Sequence, residues 1–130
     1  MKGIVFVALL LFSASASVAA GIAKPKAMDL STLYKSFTDK GSSTSDMPEY
    51  EQEILVSGVV LNQSESLTGD ALMSAGSAQS DDELARITPA DEKEGAKMKA
   101  LAVGSAFQAV CVVGFASGSA YIPLTDCVFK

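Results

Sequence analysis

The residues of this chain that could do chemistry are few. Histidine is absent, which removes the commonest general base and metal ligand. No Ser–His, Cys–His or zinc set can therefore be assembled. What remains is two cysteines, Cys111 and Cys127, and two pairs of adjacent acids, Asp81-Asp82 and Asp91-Glu92. Paired carboxylates can hydrolyse glycosides. Here one pair falls in a polar stretch and the other at a helix start, where solvation and capping account for them. Asp81, Asp82 and Glu83 lack the regularly spaced oxygens of a calcium loop. The residues point to a protein that is not an enzyme and carries no metal or cofactor.

The cysteines have a more definite use. Ala106 to Phe115 is rich in Val, Phe and Cys, as a strand requires, and Tyr121 to Phe129 is a second apolar run. Gly118 and Ser119 signal a turn between them. Folding the two runs so that Cys111 faces Cys127 centres the turn at Ser119. The register the turn favours is thus one that brings the sulfurs together. Pro123 lacks an N–H, which places it at an open edge or a bulge. Two unrelated buried thiols are the alternative, and the compartment decides between them.

Lys2 is followed by an apolar run, Ile4 to Phe12, and a small-residue tail, Ser13 to Ala20. That is the pattern of a cleaved export signal, and the run is too short to span a bilayer. Cleavage is expected after Ala20 or Ala19. Export to the periplasm or the medium, with two cysteines, favours one disulfide, Cys111–Cys127. The chain then divides into a signal at 1–20, a tail, helix and loop at 21–48, and a strand-rich segment at 49–130 that forms one domain with the preceding helix.

The formal net charge is −5. Between Asp46 and Glu94 twelve acids stand against Arg86 and Lys93. Such a surface opposes phosphate backbones and anionic headgroups, and the expectation is no nucleic-acid partner and no stable membrane anchor. Trp is absent, and no Tyr or Phe occurs between Glu51 and Gly104, which leaves little for stacking bases. The partners expected are an unknown ligand or an envelope protein, bound by a monomer.

Gly21 to Met28 reads as a loose tail. Asp29 can cap a helix, in which Leu30, Leu33, Tyr34 and Phe37 share one face. Asp39 to Pro48 is a polar loop. Tyr50 to Gln63 is a long strand apolar on both faces, with Gly58 at its middle, where a bend or bulge belongs. A long strand bent at glycine and shared between two sheets suits a small closed barrel. Ala71 to Ala75 is a weak strand. Leu84 to Thr88 is ambiguous, because Ser80 and Glu83 form a capping box that could start a helix. Thr88-Pro89 predicts a helix over Ala90 to Ala102, with Thr88 as N-cap and Gly104 as terminator.

This order resembles the exported domain family known as tRNA_anti-like, or OB-fold putative lipoproteins. Three segments carry the likeness: Leu30 to Phe37, Tyr50 through Gly58-Val-Val60, and Leu101-Ala-Val-Gly104 through Cys111 to Leu124-Thr-Asp-Cys127. The resemblance implies a mainly β fold: a five-stranded OB-fold barrel with an N-terminal helix and a helix between strands 3 and 4. It also favours a strand at Leu84 to Thr88. It implies a non-catalytic binding module, with an assembly role through an edge strand as the alternative. OB barrels bind across their second and third strands and adjoining loops. That places the ligand near Asn62 to Gly69 and Ala116 to Ala120, with Met73 and Arg86 as exposed-face binding residues.

Overall fold

The computed structural model describes residues 24–130. The export signal, with its expected cleavage at Ala19 or Ala20, lies outside the described residues.

Six strands and two helices follow in order: β1 (Lys26–Asp29), α1 (Leu30–Asp39), β2 (Glu53–Glu65), β3 (Ala71–Ser77), β4 (Ser80–Pro89), α2 (Glu92–Lys99), β5 (Ala106–Val113) and β6 (Ile122–Phe129). Strands β2 to β6 close into a barrel in the order β2-β3-β4-β6-β5-β2, and β1 adds to β2 from outside. The β4–β6 pair is parallel and the other barrel pairs are antiparallel. This is the strand order of an OB-fold.

The barrel closes because β2 serves two partners along its length. Its first half, Glu53 to Val59, pairs with β5, and its second half, from Val59 onward, pairs with β3. Gly58 lies just before the change of partner, and a Cβ there would lie 2.9 Å from the Gly76 carbonyl oxygen and 3.2 Å from Leu30. No larger residue fits where these elements cross. The register also shifts between Val60 and Asn62, the bulge that lets one strand turn a barrel corner.

Helix α1 starts at Asp29, whose carboxylate accepts from the Ser31 and Thr32 backbone N–H groups. The Ser31 hydroxyl bond is the leading cause that holds this carboxyl below its usual range. Leu30, Leu33 and Phe37 are fully buried, as their spacing predicts. Residues 26–28, expected to be loose, instead form β1 together with Asp29, parallel to β2 at Ile54 to Ser57. The exposed row of N–H and C=O groups on β2 captures them.

The second helix is shorter than predicted. Its N-cap is Asp91, which accepts from the Glu94 N–H at 2.9 Å. Thr88 and Pro89 stay in β4, where Pro89 sits opposite Cys127 and the Ala90 N–H donates to the Cys127 carbonyl. Strand pairing thus takes the residues that capping would have used. Gly104 lies beyond the helix, with φ 91°, and donates to the Val60 carbonyl. The Ser80–Glu83 capping box also yields: the Ser80 hydroxyl accepts from the Asp82 N–H within a strand.

Cys111 and Cys127 are joined, and both are buried. The outer half of the β5–β6 pair has the turn-centred register, with Ala109 opposite Phe129 and Val110 opposite Val128. A bulge at Asp126, with φ 53°, then shifts the pairing by one residue, to Val112 opposite Thr125. Pro123 is neither at an edge nor at this bulge. It sits near the start of β6, between β4 and β5, and its carbonyl accepts from the Gly114 N–H. Pro123 is the second residue of β6, close to the strand start where a missing donor is tolerated.

Candidate ligand face

The outer face of β3 and β4 is assembled by register. Asn62 lies opposite Ser74, Ser74 opposite Arg86, and Arg86 opposite Pro123. Met73, Ala75, Ala85 and Ile87 alternate with this row and are buried. Met73 is therefore corrected: it faces the core and offers no exposed surface. A strand reverses face with each residue, and Ser74 holds the outward place one step along.

Arg86 is at the surface, with 43% of its side chain exposed, and two groups fix it, Glu83 and Tyr121. Its Nε donates to Glu83 Oε2 at 2.9 Å, and its Nη2 to Glu83 Oε1 at 3.3 Å. Its guanidinium carbon lies 4.0 Å from the centroid of the Tyr121 ring, in contact range for a cation–π pair. The Ser74 hydroxyl donates to the same carboxylate at 2.6 Å. Burial pushes the Glu83 carboxyl up, but the bonds from Arg86 and Ser74 outweigh it, and the group titrates below its usual range. Arg86 is held above its own usual value, first by the hydrogen bond to Glu83. The pair is charged, oriented and electrically offset.

Glu83, Ser74 and Tyr121 were not legible as site residues. Residues three apart on a regular strand face opposite ways, so Glu83 and Arg86 do not read as partners. The register irregularity of the β3–β4 pair between Ala75 and Ser77 accompanies their meeting. Tyr121 reaches Arg86 only through the parallel pairing of β4 with β6, which brings Ile122 opposite Ala85.

Two loops flank the face. Between β2 and β3, the Ser66 N–H donates to the Asp70 carbonyl, and the Thr68 hydroxyl donates to the Asp70 carboxylate. This ordered turn leaves Leu67 fully exposed. Between β5 and β6, residues 114–121 carry Tyr121 and an exposed Phe115.

Asp81 and Asp82 are exposed at the start of β4, and Asp91 is occupied as the cap of α2. Among the described residues no group of three Asp, Glu, His or Cys side chains could hold a metal ion. No helix among the described residues is long and apolar enough to cross a membrane.

No known family model matches the chain, and no curated protein matches it. Its fold is similar to that of a Klebsiella pneumoniae protein with the provisional name nucleic acid-binding lipoprotein. The TM-score is 0.62 at 16% sequence identity, over 89% of this chain and 99% of that one. The expectation of no nucleic-acid partner conflicts with this likeness and is corrected. That expectation treated the acids from Asp46 to Glu94 as one repelling surface. In the fold three of them are paired with cations: Glu49 meets Lys26, Glu83 meets Arg86, and Glu94 meets Lys97.

Proposed function

We propose that the chain is an exported, non-catalytic OB-fold binding module whose ligand lies across the outer face of β3 and β4. The observation that carries this reading is Arg86, stacked on Tyr121 and clamped by Glu83. A half-exposed ion pair adds little to stability, so its fixed geometry favours recognition over support. The absence of histidine and the joining of both thiols remove the Ser–His and Cys–His nucleophiles, which supports binding over catalysis. The disulfide agrees with an oxidising compartment. This reading keeps the kinship with tRNA_anti-like domains that the sequence implies.

The test is a nitrogen-edited NMR titration with three probes: a neutral oligosaccharide mixture, an unstructured peptide mixture and single-stranded oligonucleotides. The last follows from the name of the similar structure. The expected result is saturable shifts at Asn62, Ser74, Arg86 and Tyr121 with one of them. Shifts confined to other surfaces would refute the placement.

A second reading rests on β1, which among the described residues pairs with β2 alone and has no strand on its other edge. An extended segment of an envelope protein could add there as a further strand. Shifts gathered on Lys26 to Asp29 would favour it.

A further inference from the structure

The loop that carries Tyr121 has little of its own to hold it. Residues 114–121 include Gly114, Gly118 with φ 70°, two alanines and two serines, a composition that leaves a loop mobile unless it is tied. Inside it, the Ser119 hydroxyl donates to the Tyr121 carbonyl and accepts from the Tyr121 N–H. The ties that fix the loop to the body come from residues before the barrel begins. The Thr44 N–H donates to the Ala116 carbonyl at 2.9 Å, and the Ala116 N–H donates back to the Thr44 hydroxyl at 2.8 Å. The Gly118 N–H donates to the Ser42 carbonyl at 2.9 Å. The Tyr34 hydroxyl donates to the Ala120 carbonyl at 2.9 Å.

The last of these ties differs in kind. The Ala120 carbonyl belongs to the peptide that carries the Tyr121 nitrogen, so Tyr34 holds the plane from which the Tyr121 ring projects. Tyr34 is itself fixed: its ring is half-buried and lies 5.7 Å from that of Phe37, which is buried in the core. Its hydroxyl direction is therefore set by the packing of α1.

We propose that Tyr34 is a positioning residue of the ligand face: its hydroxyl fixes the Ala120–Tyr121 peptide and so keeps the Tyr121 ring against Arg86. This rests on the reading of that face as the binding surface. Helix α1 precedes the barrel strands, and it sets the geometry of a loop between the barrel's last two strands. Glu83 holds the edge of the guanidinium independently of this tie. Loss of the Tyr34 hydroxyl therefore loosens the aromatic contact and leaves the ion pair in place.

The experiment compares wild type, Tyr34→Phe and Tyr121→Ala by NMR. It follows the Arg86 side-chain protons, which lie in the ring current of Tyr121, and the hydrogen exchange of amides 116–121. Tyr34→Phe removes one hydroxyl from an exposed hydrogen bond, and water can serve the carbonyl it leaves, so the fold is retained. The Arg86 signals are expected to move most of the way toward their position in Tyr121→Ala. Exchange in the loop should rise while the thermal midpoint stays near wild type. Arg86 signals that remain at the wild-type position would overturn the proposal. So would a general loss of stability that moves signals throughout the barrel, because Tyr34 would then be a packing residue only. No ligand enters this measurement, so it is separable from the binding reading. A probe that perturbs Asn62 and Ser74 with equal affinity in wild type and Tyr34→Phe would overturn the positioning role and leave the binding face standing.

Discussion

The backbone N–H of Phe129 donates a 2.7 Å hydrogen bond to Glu94 Oε1. This one contact ties β6 to α2, and the carboxylate that makes it is only 8% exposed. Lys97 Nζ lies 3.1 Å from the other oxygen. The Phe129 bond holds the Glu94 carboxyl below its usual range, against burial, with Lys97 assisting. The folded group therefore titrates below its unfolded value. The stability it supplies is complete above the unfolded pKa and is lost as pH falls through the folded one. Urea denaturation as a function of pH should show an acid-side decline that flattens in Glu94→Gln, which keeps an acceptor but has no proton to gain. A variant with the wild-type acid limb would show that this carboxyl is not its source.

The cross-link closes a loop of sequence separation 16. Replacing Cys111 and Cys127 together by Ala should lower stability by about 3 kcal/mol on the chain-entropy account. The native spectrum should change little. Thiol titration of the unreduced, denatured wild type should find no free thiol; two per chain would contradict the bond.

Gly58 and Gly76 should tolerate no side chain. In Gly76→Ala the new Cβ would fall 2.7 Å from the Asp82 carbonyl oxygen, a backbone atom with little room to retreat. A loss of about 1–3 kcal/mol is expected, the range of overpacking. Gly58→Ala should behave similarly. Gly69→Ala has open space around it but φ 87°, so it should report backbone strain alone.

Met73 and Arg86 should separate cleanly in a stability assay. Met73→Ala empties a fully buried site and should cost about 2–5 kcal/mol. Arg86→Ala removes a half-exposed ion pair and should cost no more than about 1 kcal/mol. With a ligand in hand the order reverses: Arg86→Ala should weaken binding by more than it weakens the fold. Equal effects of Arg86→Ala on both would remove it from the binding face.

For an exported protein, intact mass measurement of the folded product should find a chain beginning at Gly21 or Ala20. Retention of Met1 or Lys2 would contradict export and remove the compartment argument for the disulfide.

Much of the architecture was legible because local signals and global demands agreed. The α1 stripe and the glycine demanded at position 58 followed from local pattern, and the pairing of the cysteines followed from turn register together with the export signal. Where the two disagreed, pairing prevailed. Thr88 and Pro89 have the chemistry of a helix start, but β6 needed a parallel neighbour and kept them in β4. The site was less legible than the fold. Arg86 stood out as one of two cations among twelve acids, whereas its aromatic partner lies 35 positions away and meets it only through that same parallel pair. Met73 was misplaced by one position, which on a strand is the difference between core and surface.

The position of β6 in the barrel also sets an order of events. β6 pairs with β4 on one side and β5 on the other, follows both in the chain, and carries Cys127 and the Phe129 amide. Until it arrives, β4 and β5 each present an open edge, and neither the cross-link nor the Glu94 tie can form. Closure is a late and non-local step, of the kind that makes β-rich domains fold in milliseconds to seconds rather than microseconds. Pulse-labelled hydrogen exchange should therefore show the barrel amides gaining protection together with those of β6. Full protection of β2, β3 and β4 well before β6 would rule that order out.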